Sequence, residues 1–247
     1  MKTMNFTSTV LIFLSSCLAE SQAASPGDST SGPVPGKSHS FRIEASFFGG
    51  GGREQIEVGK TTENEMITIS PGGGAGVKIG VGYFLLPLLD ANLEIGMQNS
   101  ALSKKVENAE GCFSRSFILG TLRYALPVSG RSSINIGGGA GFYQGGKMDL
   151  DLQEVPGGEH LILKYKNTTG FHVLAEYEYC FPRWTLWNAS WSCSAGLKYY
   201  GITYDLDSIS INGMSVSGGL IPHEVKKEFT PLDGSGFDVL FSMIMRL

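Results

Sequence analysis

From Phe41 to Leu247 apolar and polar residues take turns with a period of two, the spacing that sends successive side chains to opposite faces of an extended strand. Phe41, Ile43, Ala45 and Phe47 interleave with Arg42, Glu44 and Ser46. Val77, Ile79, Val81 and Tyr83 interleave with Lys78, Gly80 and Gly82, and Ala91, Leu93, Ile95 and Met97 with Asn92, Glu94, Gly96 and Gln98. The pattern recurs in residues 114–126 (where Phe117 and Leu119 blur the phase), 132–144, 169–180 and 188–200, and in a final run from Phe237 to Leu247. It predicts eight strands, most of them about 9 to 13 residues long, the length a tilted strand needs to cross a bilayer.

The connections sort by length. Those after the second, fourth and sixth strands are brief (LLPLL, PVSGR, FPRWTLW), whereas residues 49–74, 99–113, 145–168 and 201–236 form long polar connections. An antiparallel up-and-down barrel with short turns on one side of a membrane and loops on the other shows this alternation. The fold class expected is therefore all-β, an eight-stranded antiparallel up-and-down transmembrane β-barrel.

Two solvents compete for the apolar row. In a soluble barrel it would face a core and leave Lys78 and Glu94 in water. If it faces lipid, the polar row must line a closed lumen, because a charge at the bilayer midplane on a barrel's outer face costs ~2 to 4 kcal/mol. Aromatic residues near strand ends, with Trp184 and Trp187 in a turn, fit interfacial girdles and favour lipid. The near balance of charge in the polar row favours it too, since an unpaired buried charge is expensive. The candidate site is thus a lumen charge network of Arg42, Glu44, Lys78, Glu94, Arg115, Arg123, Glu176, Glu178, Lys198 and Asp238, with Arg246 in the same row. Lys78 and Glu94 are expected as diagonal neighbours across a turn centred on Pro87. An eight-stranded interior is narrow enough to be filled by side chains, so the network is expected to plug it.

Composition adds limits. A net charge of −4 offers no basic patch for nucleic acid, and the 34 glycines suit short strands and turns more than helices. Residues 1–23 read as a signal peptide with cleavage before Ala24; the competing reading is acylation of Cys17 in the lipobox-like Leu14-Ser15-Ser16-Cys17. Residues 24–39, rich in Ser, Gly and Pro, read as a disordered leader, and residues 40–247 as the barrel. Outside the signal no window holds the ~20 apolar residues of a membrane helix.

The stretches GVKIGVGY, FILGTLRYALP, INIGGGAGFY and GFHVLAEYEY, with the final FDVLFSMIMRL, resemble the small outer-membrane β-barrel superfamily that includes OmpA-type and OmpX-type domains. The resemblance covers roughly residues 40–247 and rests on alternation, so it implies architecture and a bacterial outer-membrane location more than any activity. It also implies outer-membrane lipids and lipopolysaccharide as surroundings and the barrel-assembly machinery as a partner during insertion. That machinery reads a last strand usually ending in phenylalanine, whereas this chain ends in Leu247.

No catalytic, cofactor-binding or metal-ligating set is expected. The clusters 72–76 and 137–141 lack the Lys-Ser/Thr and the following helix of a nucleotide loop, and read as strand glycines. The four histidines have no metal-motif spacing. His172 and Glu176 share a face but stand ~13 Å apart along a strand, so His172 reads as a lumen hydrogen-bonding residue. Cys180 and Cys193 bracket a hairpin but fall on opposite faces, so pairing them would need a bulge near Pro182. The segment MDLDLQEVPGGEHLILKYK alternates about Pro156-Gly157-Gly158 and is expected to raise a hairpin above the membrane whose edge could accept an extended peptide.

The functional reading is a structural or surface-interaction barrel that meets an extracellular protein through its loops. Three alternatives stay open: an outer-leaflet lipid-modifying enzyme (lipid A deacylase or acyltransferase type), a narrow porin-like channel, and a soluble barrel with a ligand-filled interior.

Overall fold

The computed structural model describes residues 41–60, 65–103, 110–151, 159–186, 189–217, 219, 221 and 229–247. The expected signal, the leader and Cys17 lie outside the described residues. The strands are β1 (Phe41–Gly52), β2 (Ile56–Lys60), β3 (Met66–Ile69), β4 (Gly74–Leu86), β5 (Leu89–Ala101), β6 (Glu110–Ser129), β7 (Ser132–Asp151) and β8 (His160–Tyr165). They continue with β9 (Thr168–Leu186), β10 (Ala189–Gly201), β11 (Thr203–Tyr204), β12 (Leu206–Ile211), β13 (Met214–Ser217), β14 (Leu232–Asp233) and β15 (Gly236–Arg246).

Eight of these close on themselves. In the order β1, β4, β5, β6, β7, β9, β10, β15 each pairs antiparallel with the next, and β15 returns to β1 through the register Arg42↔Arg246 to Gly52↔Gly236. The wall therefore has no open edge, so its backbone groups are satisfied within the sheet, the condition for a chain that crosses lipid. Both ends of the described chain meet at the short-turn end, where Phe41 and Leu247 exchange backbone hydrogen bonds.

Strands run further than alternation predicted. The expected 114–126 extends to Glu110–Ser129, and 132–144 to Ser132–Asp151. The short turns after β4 and β6 shrink to residues 87–88 and 130–131, and β9 runs on to Leu186, past the turn expected there. The side chains of Trp184 and Trp187 lie outside the described residues.

The faces divide by chemistry. Ile79 is 59% and Leu93 60% exposed, while Lys78 is 2% and Glu94 1% exposed. The soluble alternative required the opposite arrangement. Water around this belt would leave Ile79, Val81, Leu93, Ile95, Leu122 and Ile136 all unburied, far beyond the apolar patch a soluble monomer carries. At the belt's margins Phe41 stacks edge-on against Tyr83 at 5.3 Å and Tyr199 lies 4.9 Å from Phe237. The wall draws tight where a glycine allows it: a Cβ added at Gly139 would sit 1.8 Å from the carbonyl oxygen of Gly120.

The described parts of the long connections are folded. β7 rises past the barrel and returns through β8, paired from Lys147↔Lys164 to Asp151↔His160. The edge of this hairpin, expected to be open to an incoming peptide, is occupied by the chain itself: β12 pairs with β8, and β13 with β12. A bare edge is a liability, and the long connection after β10 has length enough to cover it. Among the described residues the outermost strand of this sheet is β13. The smaller pairs β2–β3 and β11–β14 complete the loop end.

Cys180 stands opposite Ser192 and Cys193 opposite Tyr179, one register step apart, and the register shifts between Ser190 and Ser192, whose β9 partners are Thr185 and Cys180, so the irregularity spans the stretch that holds Pro182.

Candidate functional site: the filled interior

Inward positions at the short-turn half of the barrel are ionic because their neighbours across the lumen are. Arg42 reaches Glu44 at 2.9 Å, Asp90 at 3.5 Å and Glu178 at 3.6 Å. Arg123 reaches Glu44 at 2.8 Å, Asp90 at 3.0 Å and Glu176 at 3.8 Å. Lys78 sits 2.9 Å from Glu94 and 3.4 Å from Glu44, the diagonal contact set by the register Lys78↔Gly96 and Gly80↔Glu94. Arg246 meets Glu178 at 2.6 Å. Neutral donors complete the carboxylates: Ser46 and Asn92 donate to Glu44 and Glu94, and Asn135 and Ser192 to Glu178. Among the described residues the buried charges number six cations (Arg42, Lys78, Arg115, Arg123, Lys198, Arg246) and six carboxylates (Glu44, Asp90, Glu94, Glu176, Glu178, Asp238). Desolvating charges is costly unless each is met at hydrogen-bonding distance, which most of these are. Glu176 is the exception. Its nearest described cation is Arg123, and neither of its oxygens accepts a hydrogen bond from a described residue.

The loop half of the interior is built differently. Lys198 pairs with Asp238 at 3.2 Å, away from the ionic cluster, and its ammonium lies 4.8 Å from the Phe48 ring, 5.3 Å from Phe117 and 5.5 Å from Tyr200. Such cation–π contacts gain strength where water is excluded. Arg115, expected within the charge network, is joined instead to Gln98 through Nε at 3.1 Å and to the Gly234 carbonyl at 2.8 Å, with its guanidinium 4.6 Å from the Tyr200 ring. It lies a layer above the carboxylates, and there its partners are amide oxygens and aromatic faces. Phe117 and Leu119, which blurred the phase of the fourth strand, are buried inward residues, 3% and 0% exposed. They join Phe48, Tyr143, Leu240 and Tyr200 in a cluster that continues through Phe113, Tyr165, Tyr204 and Leu206 into the folded loops. The interior is thus half ionic and half aromatic.

Seven of the expected site residues, Arg42, Glu44, Lys78, Glu94, Arg123, Glu176 and Glu178, come together; Lys198 and Asp238 form their own pair; Arg115 stands apart. Sequence reasoning missed Asp90 as a member. It falls between the LLPLL connection and the alternation that starts at Ala91, yet β5 begins at Leu89, which puts Asp90 in the same inward phase as Asn92 and Glu94. The spacing of two from Asn92 was the available signal. His172 lies inside, 2.8 Å from the Thr121 hydroxyl. Outside the membrane-spanning wall, His160 Nε2 lies 2.7 Å from Asp149, which Lys147 meets at 2.6 Å. Burial works against the charge of Asp149, but hydrogen bonds from Lys147 and His160 outweigh it and hold its carboxyl below the usual range.

A closed antiparallel wall, an apolar exterior belt, an interior lined by buried charged and aromatic side chains and loops sorted to one end define the class: an eight-stranded transmembrane β-barrel of the outer-membrane type. No family model matches the chain, and no curated protein matches its sequence. Among solved structures it is similar to outer membrane protein OprG from Pseudomonas aeruginosa (13% identity, 86% of this chain and 96% of that one, TM-score 0.47). It is also similar to a major outer membrane protein from Thermus thermophilus (13% identity, 85% and 100%, TM-score 0.48) and to Neisserial surface protein A (14% identity, 83% and 96%, TM-score 0.44).

Proposed function

We propose that this protein is a structural or surface-interaction barrel of the bacterial outer membrane, whose lumen is closed and whose recognition surface is the folded sheet at the loop end. One observation carries the reading: buried ion pairs fill the short-turn half and an aromatic cluster fills the loop half, so a solute would have to break several buried contacts to pass. Lipids and lipopolysaccharide surround the barrel, the assembly machinery inserts it, and an extracellular protein meets the sheet formed by β6, β7, β8, β12 and β13.

Reconstitution into liposomes tests this. Swelling in small sugars and zwitterions should match that of empty vesicles; swelling several-fold faster would instead establish the porin-like channel. The lipid-modifying alternative has the His160–Asp149 pair in its favour, a histidine oriented by a carboxylate at the outer rim. Among the described residues no serine hydroxyl hydrogen-bonds that ring, and the nucleophile such an enzyme requires is therefore not supplied there. Release of free fatty acid from lipopolysaccharide, lost on His160→Ala, would restore that reading.

A further inference from the structure

The outer wall is not uniform around its circumference. Between β4, β5 and β6 a groove of about 460 Å³ opens on the lipid-facing side, walled by Val77, Ile79, Ile95, Met97 and Ile118. Its mouth toward the loop end is polar: the Ser116 hydroxyl donates to Gln144 Oε1 at 3.0 Å, and the two residues stand opposite each other on β6 and β7. The apolar row ends at this height. On β6 the outward side chains run from Leu126 to Ile118, roughly 26 Å of strand and roughly 20 Å across the membrane once tilted, before Ser116 and Ser114 take their place.

Just above, the pairing of β6 and β7 is irregular between Ser114 and Ser116, and the next β7 partner is Lys147. Lys147 stands directly opposite Lys164 on β8. Like charges in direct cross-strand register repel. Asp149 meets Lys147 but is shared with His160, and Lys164, which is exposed, forms no ion pair with a described residue. One ammonium without an ion-pair partner among the described residues, a second beside it, a hydroxyl–amide pair below and an apolar groove beneath that follow one another down one side of the barrel. Each layer matches the membrane at its own depth.

We propose that this strip binds one phosphate-bearing acyl lipid of the outer leaflet, with an acyl chain in the groove and the phosphate against Lys164 and Lys147. The phosphate supplies the counter-charge the lysine pair lacks, and Ser116 and Gln144 face the polar linkage between head and chain. The groove gives an acyl chain apolar walls from neighbouring strands to lie between. The proposal rests on the membrane reading of the barrel, and the two fail in different ways.

The test uses the full barrel in phosphatidylcholine bilayers containing a minor fraction of phosphatidic acid with a photoreactive group near its acyl end. Crosslinks should concentrate on the peptides carrying residues 77–79 and 95–97, at least about fivefold over the rest of the belt. A phosphatidylcholine probe with the same chain should label that wall about fivefold less, since its zwitterionic headgroup offers the lysines no net negative charge. Lys147→Ala with Lys164→Ala should remove the headgroup preference, and Ile95→Trp should move the crosslinks out of the groove, with heat-modifiable migration unchanged in both. If the double variant does not fold, Lys164→Gln, at an exposed position, replaces it. Even labelling around the belt, equal labelling by the two headgroups, or labelling that survives both changes would mean annular lipid only and overturn the proposal. Extraction of the barrel by carbonate without detergent would instead sink the membrane reading itself.

Discussion

Replacing Arg123 by methionine keeps much of the side chain's bulk and removes its charge from the middle of the ionic cluster. Arg123 is 1% exposed and stands 2.8 Å from Glu44, 3.0 Å from Asp90 and 3.8 Å from Glu176. The three carboxylates do not suffer equally. Glu44 keeps Arg42 at 2.9 Å and Lys78 at 3.4 Å, and Asp90 keeps Arg42 at 3.5 Å. Glu176 keeps no described cation at ion-pair distance, only the longer-range field of Lys78 and Arg42, and the interior passes from six cations and six carboxylates to five and six. Removing one partner of a buried pair costs about 3 to 5 kcal/mol because the other charge stays behind uncompensated. At about 1.4 kcal/mol per factor of ten, the folded-to-unfolded ratio should drop by two to nearly four powers of ten. Adding Glu176→Gln to Arg123→Met should recover at least about 1 kcal/mol, because the stranded charge is gone while the amide still fills the space. Urea titrations of the barrel in phosphocholine vesicles, read by the mobility of unboiled samples in gel electrophoresis, measure both quantities. A loss below about 1 kcal/mol, or a double variant no more stable than the single one, would mean that water screens the lumen and that the ion pairs do not close it.

Two further outcomes follow from the same geometry. Leu93→Arg on the outward face should cost ~2 to 4 kcal/mol in the same titration, because the guanidinium would stand near mid-membrane; an effect within ~0.5 kcal/mol, as at a wet surface, would contradict the lipid belt. At the loop end Asp149 is held below its ordinary value, so its contribution to the β7–β8 hairpin is complete above about pH 4, the ordinary aspartate value, and fades as pH falls through the lowered one. Amide-exchange protection of β7 and β8, corrected for intrinsic rates, should therefore decline below about pH 4 in the native chain and much less so in Asp149→Asn; equal decline in both would exclude this cause.

What the residues alone determined was everything that depends on a period of two. Ile79 and Lys78 cannot share a face of any strand, so the number of barrel strands, the apolar belt, the inward charges and the sorting of short and long connections were all legible along the chain. Even the Lys78–Glu94 contact followed, since one short turn fixes the register of a hairpin. Beyond a single hairpin that local rule stops. Which carboxylate meets Arg123 depends on the stagger and tilt of strands distant in sequence, so its contacts with Glu44 and Asp90 appear only once the barrel closes. Closure also lifts Arg115 out of the ionic layer to Gln98 and Tyr200, turns Phe117 and Leu119 into filling, and lays β12 along β8. The sequence could say only that the connection after β10 was long. Alternation records which side of a strand a residue takes, whereas its partners are set by where closed strands stand relative to one another, and only the assembled barrel defines that.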